Sequence, residues 1–143
     1  MNKIKQCLGI LLLSLTVVSC RQKVVSPVPV DALPPIWPDY AGVTIPATIA
    51  PLNFRVTADG AEAVDVVISG KKGDPIRTSG ESVEIPAGKW SELLENNKGD
   101  SLEVKVCIRQ NGEWKAYRSF PFYISPFPID YGLVYRLLAP GYE

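Results

Sequence analysis

The sequence contains no histidine and only three cysteines among its 143 residues. Without histidine the chain lacks the commonest general base and metal ligand, and Ser-His and Cys-His nucleophile pairs are excluded. The 15 lysines and arginines balance the 15 aspartates and glutamates, so no basic field would hold a nucleic acid. The carboxylates form no catalytic motif. We therefore expect a protein that is not an enzyme, binds no metal or cofactor and has no nucleic-acid partner.

Residues 1–19 are predicted to be a targeting signal. Lys3 and Lys5 precede an apolar run from Cys7 to Val18, which is shorter than the about 20 residues of a membrane span. The segment Val17-Val18-Ser19-Cys20 that follows resembles the lipobox of bacterial lipoproteins. The resemblance implies cleavage before Cys20, acylation of its thiol and of the new N-terminus, and a membrane partner reached through this lipid. An ordinary secretory signal with a chance cysteine is the alternative.

The residues after the lipobox bear on localisation. Arg21 stands where an aspartate would retain a lipoprotein in the inner membrane, so the resemblance implies the outer membrane of a bacterial cell envelope. Arg21, Gln22 and Lys23 are not acidic, which favours the periplasmic over the outer surface. If the signal is cleaved and Cys20 carries lipid, Cys107 is the one remaining thiol, and no internal disulfide is expected.

Residues 20–42 are predicted to be the lipidated cysteine and a proline-rich linker. Five prolines between positions 27 and 38 favour polyproline II and oppose helix. At about 3.1 Å per residue, roughly 18 residues of this linker would reach about 55 Å from the membrane. A docking peptide of the PxxP type is the alternative. Trp37 and Tyr40 are unusually apolar for a spacer, so we expect them to contact the domain or a partner.

Residues 43–128 are predicted to fold as the domain. Apolar and polar residues alternate there in short runs, which is typical of half-buried strands. Trp90, Leu93 and Leu94 are spaced as on one face of a helix over Lys89–Asn97, and this helix would cross between sheets. The prediction is all-β: an immunoglobulin-like or fibronectin-III-like β-sandwich of six or seven strands with one short crossover helix. The last strand, Phe120–Ser125, contains a proline and should lie at an edge or switch sheets.

The turn at Asn111-Gly112 allows two registers. A two-residue loop would place Lys115 opposite Ile108, whereas a three-residue loop ending in a bulge at Gly112 would place Trp114 there. Because the first register turns a lysine and the second a tryptophan towards the core, we predict the three-residue loop.

Two further stretches carry a family resemblance. Residues 38–54, PDYAGVTIPATIAPLNF, resemble the opening of large Bacteroidota lipoproteins with a TolB-like β-propeller. Residues 134–143, VYRLLAPGYE, are similar to the passage from the N-terminal sandwich of that family into the propeller. No propeller sequence is present, so the chain would be a truncated product or a module that exists alone. Residues 129–143 are predicted to be an apolar extension, either a last strand of the sandwich or a docking strand for a missing domain or partner.

These observations predict a membrane-anchored, non-catalytic lipoprotein module that supports or presents a partner domain, such as a β-propeller, at the cell envelope. The alternative is an envelope lipoprotein that binds a glycan or peptide through exposed aromatic side chains. The candidate contact residues are Trp37, Tyr40, Tyr131 and Tyr135, with Tyr117 and Tyr123 as further stacking platforms.

Overall fold

The structure is a computed structural model that describes residues 23–127. Within that range ten strands form two open sheets, and one helix connects them. The predicted all-β class is therefore confirmed. The strands are shorter and more numerous than the six or seven expected. The strands are β1 (Val28–Val30), β2 (Ile36–Trp37), β3 (Thr44–Pro46), β4 (Phe54–Val56), β5 (Ala63–Ser69), β6 (Ile76–Ser79), β7 (Ser82–Val83), β8 (Ser101–Gln110), β9 (Glu113–Tyr117) and β10 (Phe120–Ser125), and the helix α1 (Ala87–Asn96) lies between β7 and β8.

The larger sheet is built around β8. Strand β5 pairs antiparallel with one edge of β8 and carries β6 on its far side. The other edge of β8 is shared by β9 and β10, which pair with its two halves. Strands β1 and β3 then add in parallel to β9 and β10, respectively. The predicted edge position of Phe120–Ser125 is therefore wrong, because β10 has a hydrogen-bonded neighbour on each side.

The smaller sheet has the strand order β2-β4-β7. The chain thus passes from the larger sheet in β1 to the smaller sheet in β2 and back to the larger sheet in β3, which connects the two sheets at one edge. The linker predicted over residues 20–42 is corrected by this finding. From Val28 onward the proline-rich segment belongs to the fold, since strands tolerate proline where its missing N–H faces away from the ladder.

The core lies between the sheets and is closed by α1. The alternation of apolar and polar residues is confirmed in β8, where Leu102, Val104, Val106 and Ile108 form a buried inward face. The predicted helix is confirmed as well and begins two residues earlier, after Pro86. Its buried stripe is Trp90, Leu93 and Leu94. The Trp90 ring meets Phe122 edge-on at 6.1 Å, and its Nε1 donates to the Ile49 carbonyl at 3.1 Å, so the indole is satisfied at its polar atom.

The hairpin register is the one that the sequence analysis rejected. Asn111 and Gly112 form a two-residue turn with φ of 52° and 76°, the positive values that a type I′ turn needs. Lys115 therefore lies opposite Ile108, and Trp114 lies opposite Arg109 on the outer face. Lys115 is half-buried there, and its ammonium group donates to Gln110 Oε1 at 3.1 Å, which lowers the cost of placing it beside the core.

A bulge separates β9 from β10. Ala116 pairs with Cys107 and Phe120 with Val104, so four steps along β9–β10 match three along β8. One extra residue reverses which side chains face inward. Ala116 is therefore on the outer face, whereas Phe120, Phe122 and Ile124 enter the core.

Candidate functional site

Several of the predicted site residues lie outside the described range. They are the lipidation site Cys20, the lipobox residues Val17, Val18 and Ser19, and the two candidate contacts Tyr131 and Tyr135. The described residues nearest to the lipobox are Lys23 to Ser26, and those nearest to the apolar extension are Pro126 and Phe127.

Residues 23–26 lie against the Asn111-Gly112 turn, at what we call the proximal end of the domain. A cleft of about 460 Å³ is lined there by Lys23, Val25, Ser26, Arg109, Gly112, Glu113 and Trp114. Trp114 is only 7% exposed although it lies on the outer face, away from the core. The N-terminal segment therefore contacts the domain from residue 23 onward, five residues before β1 begins.

The chain leaves the described domain at its other, distal end. Strands β9 and β10 run in one direction from Glu113 beside the turn to Ser125. Thirteen residues at about 3.3 Å each give a separation of roughly 40 Å between the two points. The distal end also contains the segment after α1, where Gly99 N donates to the Ile124 carbonyl at 3.1 Å.

The aromatic residues proposed as platforms differ in exposure. Trp37 is 70% exposed and Tyr123 is 48% exposed. Tyr40 and Tyr117 are instead partly buried against the core, so they present less free ring surface than Trp37 and Tyr123. The expectation that the Trp37–Tyr40 region contacts the domain is met by Tyr40, whereas Trp37 faces outward beside Arg55.

Trp37 lies at a shallow depression on the outer face of the smaller sheet. Its volume is about 290 Å³, and its lining residues are Trp37, Pro38, Asn53, Phe54, Arg55 and Ser82. Arg55 stands opposite Trp37 on one side and opposite Ser82 on the other. The three side chains therefore form one row across the sheet. Trp37 stands out in the sequence, but its polar neighbours do not, because they come from two other segments of the chain, around β4 and β7.

The pKa values of two carboxylates are shifted by hydrogen bonds from neighbouring residues. A hydrogen bond from Lys71 and one from Ser101 N lower the pKa of Asp100. Hydrogen bonds from Lys105 and the Ser119 hydroxyl lower the pKa of Glu103.

Burial, and secondarily the charge of Asp65, raises the pKa of the Cys107 thiol. This thiol lies on the outer face of β8, paired with Asp65 and Ala116. A raised pKa keeps the sulfur protonated and therefore weakly nucleophilic at neutral pH. No group of three or more histidine, cysteine, aspartate or glutamate side chains is placed to bind a metal within residues 23–127.

Neither a protein-family model, nor a curated protein, nor a solved structure matches the chain. The resemblance to propeller-bearing lipoproteins therefore stays a prediction. Within the described range, no helix has the length and apolar composition that a membrane crossing requires.

Proposed function

We propose that the protein is a membrane-anchored, non-catalytic spacer that presents a partner at the bacterial cell envelope. Its lipid would be attached to Cys20, and its partner would bind the apolar stretch at residues 129–143. The observation that carries the proposal is that the two attachment regions leave the domain at opposite ends. A module entered at one end and left at the other can hold its partner at a fixed distance from its anchor.

The proximal end would lie close to the lipid surface. Cys20 is three residues from Lys23, and three residues span at most about 11 Å even when fully extended. Lys23 already lines the cleft beside Gly112 and Trp114. The long linker expected from the prolines is therefore replaced, in this proposal, by a short connection that seats the Asn111-Gly112 turn near the bilayer.

The distal end would face away from the membrane. Beyond Phe127 the sequence continues into a stretch with four leucine or valine residues and three tyrosines between positions 131 and 142. Phe127 itself is 75% exposed. Apolar surface of this kind is stabilised when a partner covers it. A β-propeller is the partner that the sequence resemblance implies.

We further infer an immunoglobulin-like sandwich. Two features support it beyond the two sheets: β1 and β3 add in parallel to β9 and β10, respectively, and helix α1 connects strands of different sheets. Many cell-surface domains have this architecture, but it also occurs in proteins of other functions, so the spacer role rests on the two ends of the domain and not on the fold.

Lipidation is tested by metabolic labelling of the full chain with radioactive palmitate. Wild-type protein should incorporate label and Cys20→Ala should not. The matched control is Cys107→Ala, which removes the other mature cysteine and should label like wild type. Equal labelling of the wild type and Cys20→Ala would overturn the anchor.

The spacer geometry is tested by energy transfer to an acceptor lipid in the membrane. A donor dye is attached to Glu113→Cys at the proximal end or to Lys98→Cys at the distal end, each in the Cys107→Ala background. Transfer should be strong from the proximal dye and weak from the distal dye, because roughly 40 Å separates the ends. Equal transfer from both positions would contradict the proposed orientation.

A further inference from the structure

The three tryptophans of the chain have different environments. Trp90 is fully buried in the core and Trp114 is 7% exposed, but Trp37 is 70% exposed on a strand of the smaller sheet. An indole is the largest apolar side chain, and exposing it to water costs free energy that burial would recover. Packing of the domain therefore does not explain why Trp37 is exposed, and a binding role would.

The surroundings of Trp37 are polar and sterically open. The depression at its side has a volume of about 290 Å³, close to the lower limit of typical small-ligand sites. Apart from Trp37, its apolar lining is Pro38 and Phe54, and Phe54 is otherwise buried in the core. Arg55, Asn53 and Ser82 contribute the polar lining.

The Asn53 amide is held in place by the domain. Its Oδ1 accepts a hydrogen bond from Ile85 N at 2.9 Å. This bond fixes which end of the amide is the oxygen, so Nδ2 is a donor with a defined position. Within residues 23–127 Nδ2 has no hydrogen-bond partner, and Asn53 is exposed, which leaves the donor available to a ligand.

Most of the hydrogen-bond donors of Arg55 are not used by its contact with Glu81. Its Nε is 3.9 Å from Glu81 Oε1, and both side chains are more than 60% exposed, so the ion pair is weak. The guanidinium group carries five N–H donors, of which this contact occupies one at most. Glu81 does not line the depression, but it lies close enough to offset part of the charge of Arg55, so the depression is not a strongly cationic site.

We propose that Trp37, Arg55 and Asn53 form a shallow binding site for a neutral saccharide unit. The apolar C–H face of a pyranose ring would stack on the indole, and its hydroxyl oxygens would accept hydrogen bonds from the guanidinium and amide groups. These donors are side chains on a sheet face rather than the backbone of a free strand edge. The arrangement therefore suits a ring with hydroxyls better than a peptide added as a strand.

The site is tested with the full chain in detergent and a panel of neutral oligosaccharides, namely cellohexaose, mannohexaose, xylohexaose, chitohexaose and laminarihexaose. Binding is followed by tryptophan fluorescence and by calorimetry. At least one sugar should bind saturably and change the emission, because Trp37 is the exposed indole. Trp37→Ala should weaken this binding by about tenfold or more. Arg55→Gln should weaken it by several-fold, which gives a second variant that keeps the indole.

The matched control is Tyr123→Ala, which removes an exposed aromatic from the larger sheet and should leave the affinity unchanged. Polygalacturonate, an acidic polysaccharide, is the competing probe. The proposal is overturned if no neutral sugar binds the wild type, or if Tyr123→Ala weakens binding as much as Trp37→Ala. It is also overturned if polygalacturonate alone binds and Trp37→Ala abolishes that binding, because the ligand would then be an acidic polymer. None of these outcomes bears on the lipid anchor, which is tested by labelling.

Discussion

The Asn97 side chain forms a two-point hydrogen-bonded pair with the backbone of Lys72. Its Oδ1 accepts from Lys72 N at 3.1 Å, and its Nδ2 donates to Lys72 O at 2.8 Å. The same Nδ2 donates to Leu93 O in α1, also at 2.8 Å. Asn97 is 3% exposed and is the buried polar residue of the described range. This amide therefore joins the end of the helix to the loop between β5 and β6.

Asn97→Ala should destabilise the domain by about 2–4 kcal/mol. It removes three hydrogen bonds and leaves the buried Leu93 carbonyl and the partly buried backbone of Lys72 without these partners, and an unsatisfied buried group costs about 1–3 kcal/mol. The measurement is urea unfolding of residues 21–143, followed by fluorescence. Asn96→Ala, an exposed neighbour at the end of the same helix, is the control and should change the free energy of unfolding by less than about 0.5 kcal/mol. A small effect of Asn97→Ala would show that the loop relaxes without its amide partner.

Gly70→Ala should be destabilising in the same assay, because a Cβ atom at position 70 would collide with the side chain of Asn97. The atoms in its way are the amide group itself, so the two positions should be strongly coupled. In the Asn97→Ala background, the additional cost of Gly70→Ala should fall to a small fraction of its cost in the wild type. Additive costs in this double-mutant cycle would contradict the close approach.

Gly112→Ala should destabilise the domain by about 1–2 kcal/mol, because residue 112 has φ of 76° and a left-handed conformation is costly for alanine. No atom lies within 4 Å of the added Cβ, so the effect reports backbone strain rather than a clash. Gly88→Ala is the matched control: it is also open to solvent but lies inside α1, where alanine is favoured by up to about 1 kcal/mol. Unfolding free energies that shift in the same direction for both variants would rule out the type I′ turn.

The hairpin shows where sequence reasoning succeeded and where it stopped. The strands, the helix and the inward face of β8 follow from periodicity, which reports local patterns well. Apart from Arg118, the residues at even positions from Trp114 to Ile124 also look like one inward face. The bulge between Ala116 and Phe120 breaks that face, and no glycine or proline at the bulge reveals it. Because a shift of one residue changes the side to which every side chain points, the predicted three-residue loop assigned all residues of β9 to the wrong face of the sheet.

Local sequence was also insufficient to predict the pairing of the proline-rich segment and the neighbours of Trp37. Local composition favours an extended chain from residue 27 to 38, and β1 and β2 are indeed extended, but composition contains no information on their pairing partners. Trp37 stood out from its own neighbours in sequence. Asn53, Arg55 and Ser82 meet it only because β4 and β7 pair beside β2, which is a long-range property of the fold.

Glu103→Gln should lower stability at neutral pH by up to about 1 kcal/mol and have little effect in acid. The lowered pKa of Glu103 arises from its bonds to Lys105 and Ser119, so the carboxylate stabilises the fold above the unfolded-state pKa, near 4.5. That contribution is lost as the pH falls through the folded-state value. Thermal unfolding from pH 7 to pH 3 measures the difference between wild type and variant. Glu84→Gln, at an exposed carboxylate, is the control and should leave the stability almost unchanged at every pH. If Glu103→Gln still lowers the stability at pH 3, the loss comes from packing and not from the charge of the carboxylate.

Cys107 should be alkylated slowly in the folded chain. Its pKa lies above the ordinary 9.0 because the thiol is partly buried and, secondarily, because Asp65 is negative, so little thiolate exists at pH 8. In residues 21–143, where Cys107 is the one cysteine, iodoacetamide should react much faster after unfolding in urea than before. Stability should fall as the pH rises above about 9, since the unfolded chain then ionises its thiol first. Glu113→Cys with Cys107→Ala supplies an exposed thiol as the control, and equal rates for the two folded proteins would contradict the raised pKa.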